Sequence, residues 1–254
     1  MNTPVLQIKN LGIDFGGLTA VNNLNMEVGE KEIVGLIGPN GAGKTTVFNL
    51  LTKVYDPSRG SIYLNGQDIA KLDTVAVNKA GIARTFQNIR LFRNLSVIDN
   101  VKAGMNHRFV YSIGDMLFRT RKRRNNEKLI EEEALKLLKI FHLDELKDTE
   151  AGSLPYGAQR KLEIARALAS EPKLLLLDEP AAGMNPQETE ELMETIRFVR
   201  DSFQISILLI EHDMNLVMNI CERIYVLNYG MLLAHGSPEE IKNNDKVIKA
   251  YLGD

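Results

Sequence analysis

A single cysteine, Cys221, stands in 254 residues, so no disulfide can form within the chain. One unpaired thiol suits a reducing compartment. Long apolar runs are also missing. The longest, Leu174–Leu177 and Ile205–Ile210, fall far short of the roughly 20 residues that a bilayer-spanning helix needs. The opening MNTPVLQIKN has no apolar core of the length a secretory leader carries. Charge of one sign is not in excess either. With 31 Lys and Arg against 33 Asp and Glu, the net charge is -2, and no basic field calls for nucleic acid. Internal repeats and low-complexity tracts are absent. What remains is ordinary for a globular chain with a sizeable core, at 44% hydrophobic and 25% charged residues. The chain is expected to be soluble, and any work at a membrane would be arranged through other chains.

The first informative stretch is GPNGAGKTT, comprising Gly38, Pro39, Asn40, Gly41, Ala42, Gly43, Lys44, Thr45 and Thr46. It follows the apolar run Ile33–Ile37, read as a buried strand, and precedes a helical run from Thr46 to Val54. In that context it fits the pattern G-x-x-x-x-G-K-[ST]. Glycines permit the backbone angles that turn successive N–H groups inward and let phosphate approach closely. The following helix presents its positive end to the anion. Lys44 is expected to reach the β- and γ-phosphates and Thr45 to hold Mg²⁺.

The organisation around this loop changes twice. Short strands are expected at Leu6, Ile8 and Leu11–Phe15, then at Val21–Val28, with a hairpin signal at Asn65-Gly66. From about Leu91 to Gly152 proline disappears and helical periodicity takes over, clearest over Lys128–Phe141. This reads as an inserted helical subdomain. Strand–helix alternation then resumes with Lys173–Leu177, a helix over Glu188–Asp201, Ile205–Ile210, a helix over Met214–Cys221 and a closing hairpin around Tyr229-Gly230. The basic run Arg119–Arg124 follows an apolar stretch, Phe109–Phe118. It reads either as a solvated helix end offset by Glu131–Glu133 or as a contact for lipid headgroups or an acidic partner.

Chemistry gathers where buried strands end, because ligands of open α/β sheets bind outside the carboxyl ends of the strands. One strand ends in Asp178-Glu179-Pro180. Asp178 is placed to order Mg²⁺ or its waters, and Glu179 to polarise an attacking water as general base. Another ends in Glu211-His212-Asp213, where His212 is suited to hydrogen-bond a γ-phosphate. Gln87, in ARTFQN, is suited to bridge Mg²⁺ or water and to couple the site to the insert.

GPNGAGKT, TFQN, LPYGAQRKLEIARAL, LLLLDEP and the histidine of LLIEHD occur in an order and spacing that resemble the nucleotide-binding subunits of ATP-binding cassette (ABC) transporters. FGGLTAVNNLNMEV, TFQNIRLFRNLSVIDNV, DEPAAGMNP and a tail ending in VIKAYLG look like the ATP-binding subunits of branched-chain amino acid importers. The resemblance covers essentially the whole chain. It implies an α/β fold: a P-loop NTPase (RecA-like) core with an antiparallel β subdomain over 1–90 and 159–236, an inserted α-helical signature subdomain over 91–158, and a helical tail over 237–254. It implies ATP and Mg²⁺ as ligands, with Thr45, Gln87 and Asp178 at the metal. Phe15 would stack on adenine, and Gly38–Thr46 would cradle the phosphates. Tyr156 and Gly157, in the signature segment, would face a partner's γ-phosphate. Glu179 would be the base, His212 the γ-phosphate switch and Gln87 the Mg²⁺ sensor.

The partners implied are transmembrane permease subunits and a second ATP-binding subunit, as a heterodimer or a homodimer. The chain would sit peripherally on the cytoplasmic face of the cell membrane, without nucleic acid. A cargo of urea, short amides or exported lipopolysaccharide stays open, since closely similar ATPases serve those systems. A cassette ATPase acting on nucleic acid is disfavoured by the short insert and the lack of sustained heptads. Two positions depart from the usual family pattern: Pro155 stands where a serine is common, and Asn185 where an aspartate is common.

Overall fold

Three runs in which every residue is buried set the frame: β3 (Ile33–Ile37), β7 (Leu174–Asp178) and β8 (Ser206–Ile210). Strands covered on both faces read as continuous apolar runs, and pairing among them is parallel. In the computed structural model, which describes residues 3–106, 108 and 121–252, they form the middle of a six-stranded sheet. Its order is β10-β9-β3-β8-β7-β6, with β6 at Ile82–Arg84, β9 at Arg223–Asn228 and β10 at Met231–Gly236. Only β10 runs antiparallel to its neighbour. The β9–β10 turn is Tyr229-Gly230, with φ of 46° and 75°, the left-handed pair that a two-residue hairpin turn demands.

A second, antiparallel sheet has the order β2-β1-β4-β5, from β1 (Leu6–Phe15), β2 (Leu18–Val28), β4 (Arg59–Leu64) and β5 (Gln67–Asp68). The two expected short strands before Gly16 are one ten-residue strand. Asn10, at φ 49°, accompanies a register shift between Ile8 and Leu11 that breaks their alternation. Asn65-Gly66, at φ 47° and 77°, turns β4 into β5. Helix α1 (Lys44–Leu51) buries Val47, Phe48, Leu50 and Leu51. These join Leu6, Leu24, Leu36 and Leu208, so both sheets share one hydrophobic core.

The chain divides into two compact units, 1–87 with 173–254, and 88–172. Besides the sheets and α1, the first unit holds α2 (Thr74–Ala80). The second unit holds α3 (Val97–Gly104), α4 (Arg121–Ile140) and α5 (Tyr156–Leu168). The expected insert, 91–158, stops inside α5. That helix is continuous and packs on α3, and a Cβ on Gly104 would collide with the Arg166 carbonyl, so the whole helix sides with the second unit. The apolar stretch 109–118, with Arg119 and Thr120, lies outside the described residues. The rest of the first unit follows β7: α6 (Pro186–Phe203), α7 (Met214–Ile220), α8 (Pro238–Lys242) and α9 (Asp245–Leu252). Cys221 is buried, and burial pushes its thiol up to about 12, which keeps it protonated and unreactive.

Candidate functional site

The loop between β3 and α1 is shaped by its glycines. Gly38, Gly41 and Gly43 have φ of 150°, 77° and 102°, a region that L side chains rarely enter. A Cβ on Gly38 would strike the Leu227 carbonyl oxygen, and one on Gly43 would lie 2.7 Å from that of Ala20. The chain therefore folds over tightly and delivers the N-terminus of α1 to the surface. There the N–H groups of Gly43, Lys44, Thr45 and Thr46 meet no protein acceptor among the described residues, as expected for the first turn of a helix. Lys44 is buried, and its Nζ donates to the carbonyls of Gly38 (2.7 Å) and Pro39 (3.0 Å). Burial lowers its pKa, while the charges of Glu179 and Asp178 oppose that shift.

This loop floors a cavity of about 510 Å³. Asn40 through Thr46 line it together with Phe15, Tyr229, Glu179 and His212. Phe15 is 43% exposed and packs edge-on against Tyr55, with ring centroids 5.1 Å apart. An accessible ring fixed by an aromatic neighbour suits a base with only a π-face to offer.

Glu179 is the most constrained residue here. Its φ is 46°, a left-handed conformation that costs a non-glycine residue about 1–2 kcal/mol and that clusters at functional sites. Its N–H donates to the Ile210 carbonyl at 2.9 Å. Its carboxylate is held from two sides: Gln87 Nε2 lies 2.6 Å from Oε2, and His212 Nε2 lies 3.0 Å from Oε1. With the proton on Nε2, His212 donates to the Glu179 carboxylate. Glu211 sets the backbone on both flanks, accepting from the N–H groups of Ala181 (2.7 Å), His212 (2.8 Å) and Asp213 (3.2 Å). Burial raises the pKa of Glu211, and those three donors oppose the rise.

Most of the expected site residues thus meet in one place. Gln87 reaches it through Glu179. Asp178 does not stand open to the cavity. It is 4% exposed, and its Oδ2 is 2.7 Å from Arg84 Nη2. Tyr156 and Gly157 open α5 in the second unit, with Pro155 as N-cap. Sequence reasoning passed over Tyr55, Tyr229, Glu211 and Arg84. It also passed over Tyr251 on α9, where burial raises the pKa of the phenol and the nearby Gly38 main chain opposes the rise. The signal for Arg84 was an arginine directly after the apolar pair Ile82-Ala83, in the same ARTFQN that supplied Gln87.

Unpaired N–H groups around a buried lysine suit the polyphosphate of a nucleotide, and the carboxylate fixed beside them brings hydrolysis within reach. The molecule is a phosphate-loop nucleoside triphosphatase. Known proteins narrow the class. The ABC transporter family profile matches residues 21–182, and one described as branched-chain amino acid ATP-binding cassette transporter matches 231–254. The chain belongs to the ABC transporter family. It is 46% identical over 254 residues to the high-affinity branched-chain amino acid transport ATP-binding protein BraF of Pseudomonas aeruginosa, covering 100% of both chains. It is 47% identical, with the same coverage, to LivG of Escherichia coli K12, which carries the same description. The lipopolysaccharide export system ATP-binding protein LptB of E. coli K12 is 38% identical, over 98% of this chain and 97% of LptB. Among solved structures, an ATP-binding cassette of an ABC transporter in its ADP conformation superposes with a TM-score of 0.86 at 28% identity, over 99% of this chain and 100% of that one. A nucleotide-free cassette gives 0.85 at 29% identity, with the same coverage.

Proposed function

We propose that this ABC ATPase powers the import of branched-chain amino acids. The observation that carries the site reading is Glu179, held in a left-handed conformation between Gln87 and His212 at the edge of the phosphate-loop cavity. The cargo reading is supported by full-length identity to BraF and LivG, above that to LptB.

In this reading the adenine of ATP rests on Phe15, and the phosphates take the N–H groups of Gly43 to Thr46. Lys44 exchanges its two carbonyl partners for phosphate oxygens. Thr45, which lines the cavity, and Gln87 would hold Mg²⁺, a hard cation, while Asp178, buried behind the cavity, would order the ion's waters; the ion would neutralise charge on the β- and γ-phosphates. Glu179 takes a proton from the attacking water as the water oxygen bonds to the γ-phosphorus and the bond to the β-bridging oxygen breaks. ADP and phosphate leave. His212 holds the base in line and meets the γ-phosphate. Tyr156 and Gly157 present the start of α5 to the nucleotide of a second ATP-binding subunit, so two cassettes close over two ATP molecules.

Among the described residues no helix is long and apolar enough to cross a membrane. In this reading the chain is a peripheral subunit, held on the cytoplasmic face by transmembrane permease partners. The test is a pull-down of the tagged chain from detergent-solubilised native membranes, with ATP-driven uptake of labelled leucine by the recovered complex in vesicles. Two membrane subunits, a second cassette and leucine uptake are the expected result. A membrane complex that moves lipopolysaccharide, urea or amides overturns the cargo. A soluble complex with nucleic acid overturns the machine.

A further inference from the structure

The short tail of β6 touches both carboxylates that end β7. Arg84 donates through Nη2 to Asp178 Oδ2 at 2.7 Å, and three residues later Gln87 donates to Glu179 Oε2 at 2.6 Å. Arg84 is itself tied down. Its Nη1 donates to Asn49 Oδ1 at 2.8 Å and reaches Thr52 Oγ1 at 3.4 Å, both on the helix that leaves the phosphate loop or its cap. Its guanidinium lies 5.5 Å from the ring of Phe48 and 5.0 Å from that of Phe86. Arg84 and Asp178 side chains are each 6% exposed.

This arrangement is more than charge neutralisation. A lysine would satisfy Asp178 as a point charge, but a planar fork fixes the orientation of what it binds. Here one arm of the fork holds Asp178 and the other holds α1, so the carboxylate is registered against the helix that begins with Lys44 and Thr45. Neighbours of this kind orient ligating groups and set how well a metal is held. Resting on the function proposed above, we infer that Arg84 is a positioning residue for the divalent cation that accompanies the nucleotide. It holds Asp178 in register with α1, and its loss weakens metal-dependent binding specifically.

The test uses the full chain and a fluorescent ATP analogue, titrated in EDTA and in Mg²⁺. Wild type binds more tightly in Mg²⁺. For Arg84→Met the affinity in EDTA stays at the wild-type value, while the gain from Mg²⁺ falls by about tenfold or more, as for other removed partners of metal ligands. Arg84→Lys, which keeps the charge without the fork, recovers part of that gain. Equal weakening in EDTA and in Mg²⁺, or no change in either, overturns the inference and leaves Arg84 a structural ion pair. If Arg84→Met does not fold, Asn49→Ala releases one arm and leaves the buried pair. A smaller loss confined to Mg²⁺ supports the inference, and wild-type behaviour overturns it. Failure of the wild type to bind the analogue in Mg²⁺ sinks the nucleotide-site reading itself, a separate result.

Discussion

Among the described residues, each compact unit buries one arginine against one carboxylate, and the two pairs follow opposite plans. In the first unit Arg84 reaches Asp178 across 94 residues, from the end of one parallel strand to the end of its neighbour. In the second unit Arg160 reaches Glu163 one turn along α5, at 2.8 Å, with side chains 0% and 1% exposed. Arg160 also donates to the Tyr156 phenol four residues back, at 3.2 Å, while Glu163 accepts the N–H of Arg90, 73 residues away in the chain, at 3.0 Å. The long-range pair lies where the chemistry is, beside Glu179. The local pair holds the start of a helix whose first residues carry the signature segment. In the proposed function, one fixes a reacting geometry and the other an element that presents its end to a partner.

The largest expected effect separates chemistry from binding in the first unit. Glu179→Gln should lower phosphate release by about 10²–10⁴-fold, the usual contribution of a general base, with ATP still bound. Turnover near the wild-type rate would remove Glu179 as the base. The local pair should break differently. Arg160→Met strands a buried Glu163 carboxylate, and breaking such a pair typically costs about 3–5 kcal/mol. Chemical denaturation should show that loss in EDTA and in Mg²⁺ alike; Arg84→Met strands buried Asp178 and should lose stability as well, but it adds a defect in Mg²⁺-dependent nucleotide binding that Arg160→Met lacks. Adding Glu163→Leu should restore part of the stability. A loss under about 1 kcal/mol for Arg160→Met would mean that Glu163 finds other partners and that the contrast between the pairs is false.

Much of the first unit was legible because its constraints are local. Gly38 and Gly43 sit where a Cβ would meet a carbonyl oxygen, so the loop pattern is a steric requirement written in consecutive residues. The hairpins at Asn65-Gly66 and Tyr229-Gly230 are legible for a similar reason, each needing two left-handed residues. Arg84 was not legible. Nothing in ARTFQN says which carboxylate an arginine will find across the sheet. Tyr251 was missed likewise, since its meeting with Gly38 depends on how the last helix docks. In the second unit the signature segment was read for its motif, and the three-residue spacing of Arg160 and Glu163 went unused, although i,i+3 places them on one face of a helix.

The signature segment gives a smaller effect. Pro155 is the N-cap of α5 and brings no side-chain acceptor. A serine there has two possible partners: the open N–H groups of its own helix, and a phosphate oxygen of a partner's nucleotide. A hydrogen bond to a charged group contributes about 1.5–3 kcal/mol. Pro155→Ser is therefore expected to tighten ATP-dependent dimerisation, read by sedimentation with the Glu179→Gln background holding ATP intact. If the hydroxyl only caps α5, thermal stability rises without ATP and dimerisation stays put. That outcome would make Pro155 a matter of helix stability and remove the proposed link to the partner's phosphate.

Asn185 offers the smallest effect and the sharpest control. It is the N-cap of α6, and its side chain accepts the N–H of Glu188 at 3.0 Å while Glu188 returns a bond to the Asn185 N–H at 2.9 Å. Pro186 follows at the first helical position, where a missing N–H costs nothing. Asparagine and aspartate serve equally well at an N-cap, so the departure from aspartate leaves the local architecture intact. Asn185→Ala should cost about 1 kcal/mol of stability, and Asn185→Asp should cost none, since a negative charge at a helix N-terminus is favourable. The two variants divide stability from function. If the aspartate variant keeps its stability yet changes ATP-dependent pairing with a second cassette, the missing charge matters at the interface between subunits. If it alters neither, the residue is there to start a helix, and the chemistry at this end of β7 belongs to Asp178, Glu179 and the arginine behind them.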